Sequence, residues 1–163
     1  VIPEVSSEKR QYVPMGYLSP EIICSNKLRL MPNAALYHFG VLNSSVHNAW
    51  VRAVCGRLET RYDYSINIVY NNFPWPSSAL SAPLREKIES TAQSILDARA
   101  KHPGMTLAQM YGDKMYLFPK LVAAHAANDR AVLAAYGLAP DTPEPEVVAH
   151  LFKLYAEKVS EAK

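Results

Sequence analysis

A chain of 163 residues, 49% of them hydrophobic, can bury a core of its own and is too apolar to remain disordered. No apolar run approaches the roughly 20 residues a membrane-spanning helix needs, so a soluble, globular chain is expected. The net charge of +2 does not by itself announce a nucleic-acid partner, and the lone cysteines Cys24 and Cys55 make neither a disulfide framework nor a CxxC metal pattern, which points to a reducing, cytoplasmic setting.

The opening VIPEVSSEKRQ lacks an initiating Met and a signal-peptide layout. It reads as a segment of a longer protein, with residues 1–10 a poorly ordered lead-in. Residues 12–18 have strand composition, confined to an edge or bulge by Pro14, and residues 21–24 form a second short extended piece. Residues 35–42, ALYHFGVL, are nearly all apolar and predict a buried strand. Asn43, Ser44 and Ser45 can each cap a helix, and Val46, Ala49, Trp50, Ala53 and Val54 then recur at helical spacing. The prediction is a helix over residues 45–55 with Gly56 as the left-handed residue beyond it.

In RLETRYDY the period changes to two. An extended backbone over residues 57–64 sets Arg57, Glu59, Arg61 and Asp63 on one face and Leu58, Thr60, Tyr62 and Tyr64 on the other. Residues 65–70, SINIVY, predict a β-branched strand ended by Asn71-Asn72, after which FPWP leaves the sheet with Trp75 buried as its pin.

Residues 77–81 form a short linker, and helical periodicity runs from there to the end. Leu84, Ile88, Ala92, Ile95 and Arg99 stripe a helix over residues 82–101. Thr106 to Gln109 has capping-box spacing and opens a short helix. Pro119 and Gly137 bracket another helix, with Leu121, Val122, His125, Val132, Leu133 and Tyr136 inward. Thr142-Pro143-Glu144 starts a last one. The expected fold is α+β: a small mixed sheet with one packed helix, then a C-terminal helical bundle.

No catalytic or metal-binding motif stands out. The five histidines have no ligand spacing, YNNFPWP lacks the consecutive prolines of a base-holding NPPY loop, and Gly16, Gly40 and Gly56 form no phosphate- or cofactor-cradling turn. His125 reads as a satisfied core histidine. Charge is uneven: Lys27, Arg29, Arg52, Arg57 and Arg61 face Glu59 alone between residues 27 and 61, a pattern that fits a nucleic-acid patch or an ordinary solvated face. On one strand face, Glu59 can accept from cytosine N4 and Arg61 can donate twice to guanine O6 and N7. The same two residues can equally form a surface ion pair worth under about 1 kcal/mol. His47 either faces a groove with Asn43, Ser44 and Asn48 or lies on plain surface.

The run LYHFGVLNSSVHNAWVRAVCGRLETRYDYS…IVYNNFPWP, with the flanking YVPMGYLSPEIICSN, LRLMPNAALYHFG, ILDARAKHP and AHAANDRAVLAAYGL, resembles the C-terminal part of MmeI-like single-chain restriction and modification DNA methyltransferases. The resemblance covers most of the chain. It implies that residues 1–76 are the C-terminal half of a DNA target recognition domain and residues 82–163 a helical C-terminal domain. It also implies a double-stranded DNA partner and an upstream methyltransferase domain on the same polypeptide. That domain would bind S-adenosylmethionine and methylate adenine N6, with a nuclease further upstream in family members that cut. No cofactor site is expected on this segment. By the same resemblance Glu59 and Arg61 read one base pair. By their chemistry Lys27, Arg29, Arg52 and Arg57 are more naturally phosphate contacts, which position without specifying, and Asn43, Ser44 and His47 are candidate groove residues.

Overall fold

The computed structural model describes residues 1–77 and 79–161. In chain order the elements are β1 (Ile2–Pro3), β2 (Val5–Ser6), β3 (Leu28–Arg29), α1 (Leu36–Leu42), α2 (Ser45–Val54), β4 (Gly56–Leu58) and β5 (Arg61–Asp63), then a π-helical turn (Ile66–Tyr70). The second half holds α3 (Ala82–Ala100), α4 (Leu107–Met110), a 3-10 turn (Met115–Leu117), α5 (Pro119–Ala135) and α6 (Glu144–Glu161). The architecture is α+β, with two small antiparallel sheets, β1-β3 and β2-β5-β4, set on a helical body. No helix among the described residues is long and apolar enough to cross a membrane.

The helices start and stop where local chemistry directs. Ser44 caps α2 by accepting from the His47 amide at 3.3 Å. Thr106 and Gln109 close a reciprocal capping box on α4, Pro119 opens α5 and Gly137 follows it with φ +70°. Val122, expected on the inner face of α5, is 41% exposed.

Five local expectations give way to tertiary structure. The lead-in is ordered: Ile2 and Pro3 pair with Arg29 and Leu28, and Val5 and Ser6 with Asp63 and Tyr62, long-range partners that no local pattern reveals. Residues 35–42 are helical, not extended. Among the described residues, 12–18 and 21–24 contribute no strand. SINIVY is a π-helical turn: the Asn71 amide reaches back to the Ile66 carbonyl at 2.8 Å, and the Val69 carbonyl takes the Trp50 indole N–H at 3.0 Å. Gly56 lies in β4 and is not left-handed.

α1 is the pivot of the molecule, because a Cβ on Gly40 would come within 2.7 Å of the Ile88 side chain of α3 and 3.1 Å of Asn128 Oδ1 of α5. The absent side chain lets α1 settle directly on the second half, and Asn128 donates to the Gly40 carbonyl at 2.8 Å. Two hydrophobic clusters result, each mixing residues from both sides of residues 77–81. One gathers Val41, Trp50, Tyr64 and Phe73 with Val132 and Leu151, and the other Tyr12 and Phe39 with Ile95, Tyr111 and Leu121. The pin of the FPWP exit is Phe73, 4% exposed. Trp75 is only half-buried, between the rings of Tyr70 and Phe73.

Candidate nucleic-acid interface

β4 and β5 form a hairpin with a two-residue turn, Glu59-Thr60, and pair Gly56 with Asp63, Arg57 with Tyr62 and Leu58 with Arg61. Directly opposed residues share a face, so Arg61 and Asp63 project with Leu58 while Arg57 projects with Tyr62. The four charges therefore do not line one face, as a continuous strand over residues 57–64 predicted. The turn bends the chain instead, and Glu59 adopts φ +59°, a left-handed conformation that costs a non-glycine residue about 1–2 kcal/mol.

That bend sets the Glu59 carboxylate 2.8 Å from the Arg61 guanidinium, with both side chains open to solvent at 76% and 46%. On the other face Arg57 lies over the Tyr62 ring at 4.2 Å and donates to the Thr60 carbonyl at 3.3 Å, and it remains exposed. An acceptor and a planar two-nitrogen donor thus sit together at the tip of an exposed two-stranded ribbon, a shape the DNA major groove admits.

The remaining cations divide. Glu4, in the stretch between β1 and β2, receives Lys27 at 3.1 Å and Arg29 at 2.7 Å, and these partners, Lys27 first, hold its carboxyl below the usual range. Lys27 keeps 73% of its side chain exposed and Arg29 only 29%. Arg52 is engaged in a bidentate pair with Glu144 at the start of α6, 2.7 Å at each nitrogen, and also donates to the Gln11 carbonyl. It ties α2 to α6 and in this arrangement has no free fork for a phosphate.

Asn43, Ser44 and His47 do not line a groove. All three are fully buried, because the corner between α1 and α2 turns inward. Asn43 donates to the Phe39 carbonyl at 2.9 Å and Ser44 to the Val41 carbonyl at 2.6 Å. His47 Nδ1 lies 2.9 Å from the Leu42 carbonyl and Nε2 3.0 Å from the Tyr64 hydroxyl. A carbonyl only accepts, so Nδ1 carries the proton and Nε2 accepts from Tyr64. Burial depresses the His47 pKa to about 3. The ring is a neutral strut that joins α2 to Tyr64, the first residue beyond β5.

A buried polar seam that sequence patterning missed holds this corner to the helical half. The Arg99 guanidinium donates to the Tyr111 hydroxyl at 2.8 and 2.6 Å, to the Met15 carbonyl at 2.6 Å and to Asn43 Oδ1 at 3.3 Å. Tyr111 in turn meets His125 Nε2 at 2.6 Å. Burial, then the Arg99 charge, lower the His125 pKa to about 3. Alongside, Asp129 accepts from the Tyr12 hydroxyl and from the Ser45 amide, each at 2.7 Å, so its carboxylate sits at the N-terminus of α2, where an anion is favoured. The only sequence signal was Arg99 falling on an otherwise apolar stripe.

The class defined is an α+β module in which helices from both halves clamp a corner and present a charged hairpin beyond it. The chain belongs to the MmeI family: residues 1–77 match the family model described as MmeI, target recognition domain, and residues 81–162 that described as MmeI, C-terminal domain. It is 40% identical over 157 residues to DNA methyltransferase A of Bacillus subtilis (strain 168), covering 96% of this chain and 17% of that protein. The structure of the type IIL restriction-modification enzyme MmeI in complex with DNA is similar with a TM-score of 0.91 and 40% identity, over 98% of this chain and 21% of that one. The chain thus spans about a fifth of the length of these relatives.

Proposed function

We propose that this chain is the sequence-reading segment of a site-specific DNA adenine-N6 methyltransferase of restriction-modification type, and that it positions an upstream catalytic domain on double-stranded DNA. The observation that carries the reading is the Glu59–Arg61 pair, solvent-facing at 2.8 Å on the hairpin tip, in a chain similar along 98% of its length to a protein solved with DNA. Glu59 would accept from cytosine N4 and Arg61 donate to guanine O6 and N7 of one base pair. Lys27 and Arg57 would contact phosphates, which set register without reading sequence.

S-adenosylmethionine, adenine flipping and methyl transfer belong in this reading to the upstream domain. A purely structural role for the segment would be favoured by a hairpin buried against the helical half, whereas Gly56 to Arg61 are all exposed.

Binding of the full-length parent to its methylated motif, followed over a salt series, tests the assignment. Lys27→Ala and Arg57→Ala should each weaken binding about equally on all sequences and flatten the salt slope by roughly 1. Unchanged affinity and slope in both variants would remove the backbone-contact role.

A further inference from the structure

Leu58 is the one apolar side chain on the hairpin tip. Arg57, Glu59, Thr60 and Arg61 surround it in sequence, and it is 49% exposed. It stands directly across the ribbon from Arg61, on the face opposite the one where Arg57 lies over Tyr62. Side chains of directly opposed residues leave the backbone about 5 Å apart, a spacing that bridges neighbouring base pairs stacked at about 3.4 Å. A ribbon that brings Arg61 to a guanine therefore brings Leu58 to the adjoining step.

A leucine neither donates nor accepts a hydrogen bond. The apolar feature of the major-groove edges is the 5-methyl group of thymine. We propose that Leu58 is a specificity-determining residue whose side chain packs on the thymine methyl of the base pair next to the one that Glu59 and Arg61 address. The inference rests on the reading of that pair given above and extends it from one base pair to two. Polar side chains at this position would instead select for hydrogen-bonding edges, so the residue at 58 sets a second letter of the recognised sequence.

The test uses the full-length parent and its own methylated motif, with duplexes in which each thymine in turn is replaced by deoxyuridine, which removes only the methyl group. Competition binding of the unaltered protein should weaken about fourfold at a single thymine, the worth of one buried methyl. Leu58→Ala should show no difference between thymine and deoxyuridine at that position while keeping its thermal midpoint, because the side chain packs against no core. The thymine must lie beside the base pair whose identity changes when Glu59→Lys and Arg61→Asp are made together. Equal deoxyuridine effects in both proteins, no effect at any thymine, or a sensitive thymine elsewhere in the site would overturn the role of Leu58 and leave the Glu59–Arg61 reading standing. A motif unmoved by the double exchange would overturn that reading, and Leu58 with it.

Discussion

Glu59 and Arg61 meet at 2.8 Å across a turn in which Glu59 holds φ +59°. The ion pair is open to solvent and contributes at most about 1 kcal/mol, while the left-handed backbone costs about as much or more. The contact does not repay the strain in stability; the strain comes with the two-residue hairpin turn, whose first central residue, Glu59, must take a positive φ.

The first prediction separates strain from function. Glu59→Gly should be more stable than Glu59→Ala by about 1 kcal/mol, because only glycine adopts this φ without cost. Both variants of the parent should lose discrimination at one base pair. Thermal unfolding measures the first part, and equal midpoints for the two variants would mean the turn is unstrained.

A second prediction concerns the seam. Arg99→Ala strips donors from the Tyr111 hydroxyl, the Met15 carbonyl and Asn43 Oδ1 at once, and should destabilise by at least about 3 kcal/mol. Arg99→Lys should rescue little, since one ammonium cannot replace a planar fork. Denaturant titration reads both, and full rescue by Lys would show that charge alone matters.

At the pivot, Gly40→Ala places a methyl against Ile88 and Asn128. Overpacking of this kind costs about 1–3 kcal/mol, so the denaturation midpoint should fall. A neutral result would mean that α1 and α3 can separate freely.

Acid sensitivity follows from the two buried imidazoles. His47 and His125 have folded pKa values depressed to about 3 from an ordinary 6.5, so the unfolded chain binds more protons between those limits. Stability is fully present above pH 6.5 and declines toward pH 3, by up to roughly 1.4 kcal/mol per pH unit for each ring. Asp129, raised chiefly by burial, binds its proton more readily when folded and offsets part of the loss at the acid end. Unfolding free energies across pH 4 to 7 should rise with pH, and His47→Gln should flatten the slope. A level profile would mean the rings ionise in place.

The sequence made the helices legible wherever their signals were local: the Ser44 cap, the Thr106–Gln109 box, and the Pro119 and Gly137 brackets. Strands failed because their partners are distant. Ile2 and Val5 look like a loose lead-in until Arg29 and Asp63 are beside them. ALYHFGVL reads as a strand because it is apolar on every side, and it is a helix because both clusters enclose it. At the site, Glu59 and Arg61 were identifiable from residue chemistry, but Glu-Thr carries none of the Asn-Gly signal of a tight turn, so the hairpin itself stayed hidden. Asn43, Ser44 and His47 were polar residues at a helix start, and sequence does not say whether such groups face water or a buried carbonyl.

In the proposed function Glu59 and Arg61 together read one C·G pair. In the full-length parent, Glu59→Lys combined with Arg61→Asp reverses donor and acceptor at the hairpin tip: lysine can donate to guanine and aspartate can accept from cytosine. Sequencing the methylated genomic DNA of cells expressing this variant should show the motif changed from C to G at one position and unchanged elsewhere, with the original site losing about 1–3 kcal/mol of discrimination there. An unaltered motif at full activity would contradict the account and leave the pair a surface salt bridge, and loss spread evenly over all positions would make it a backbone or folding contact.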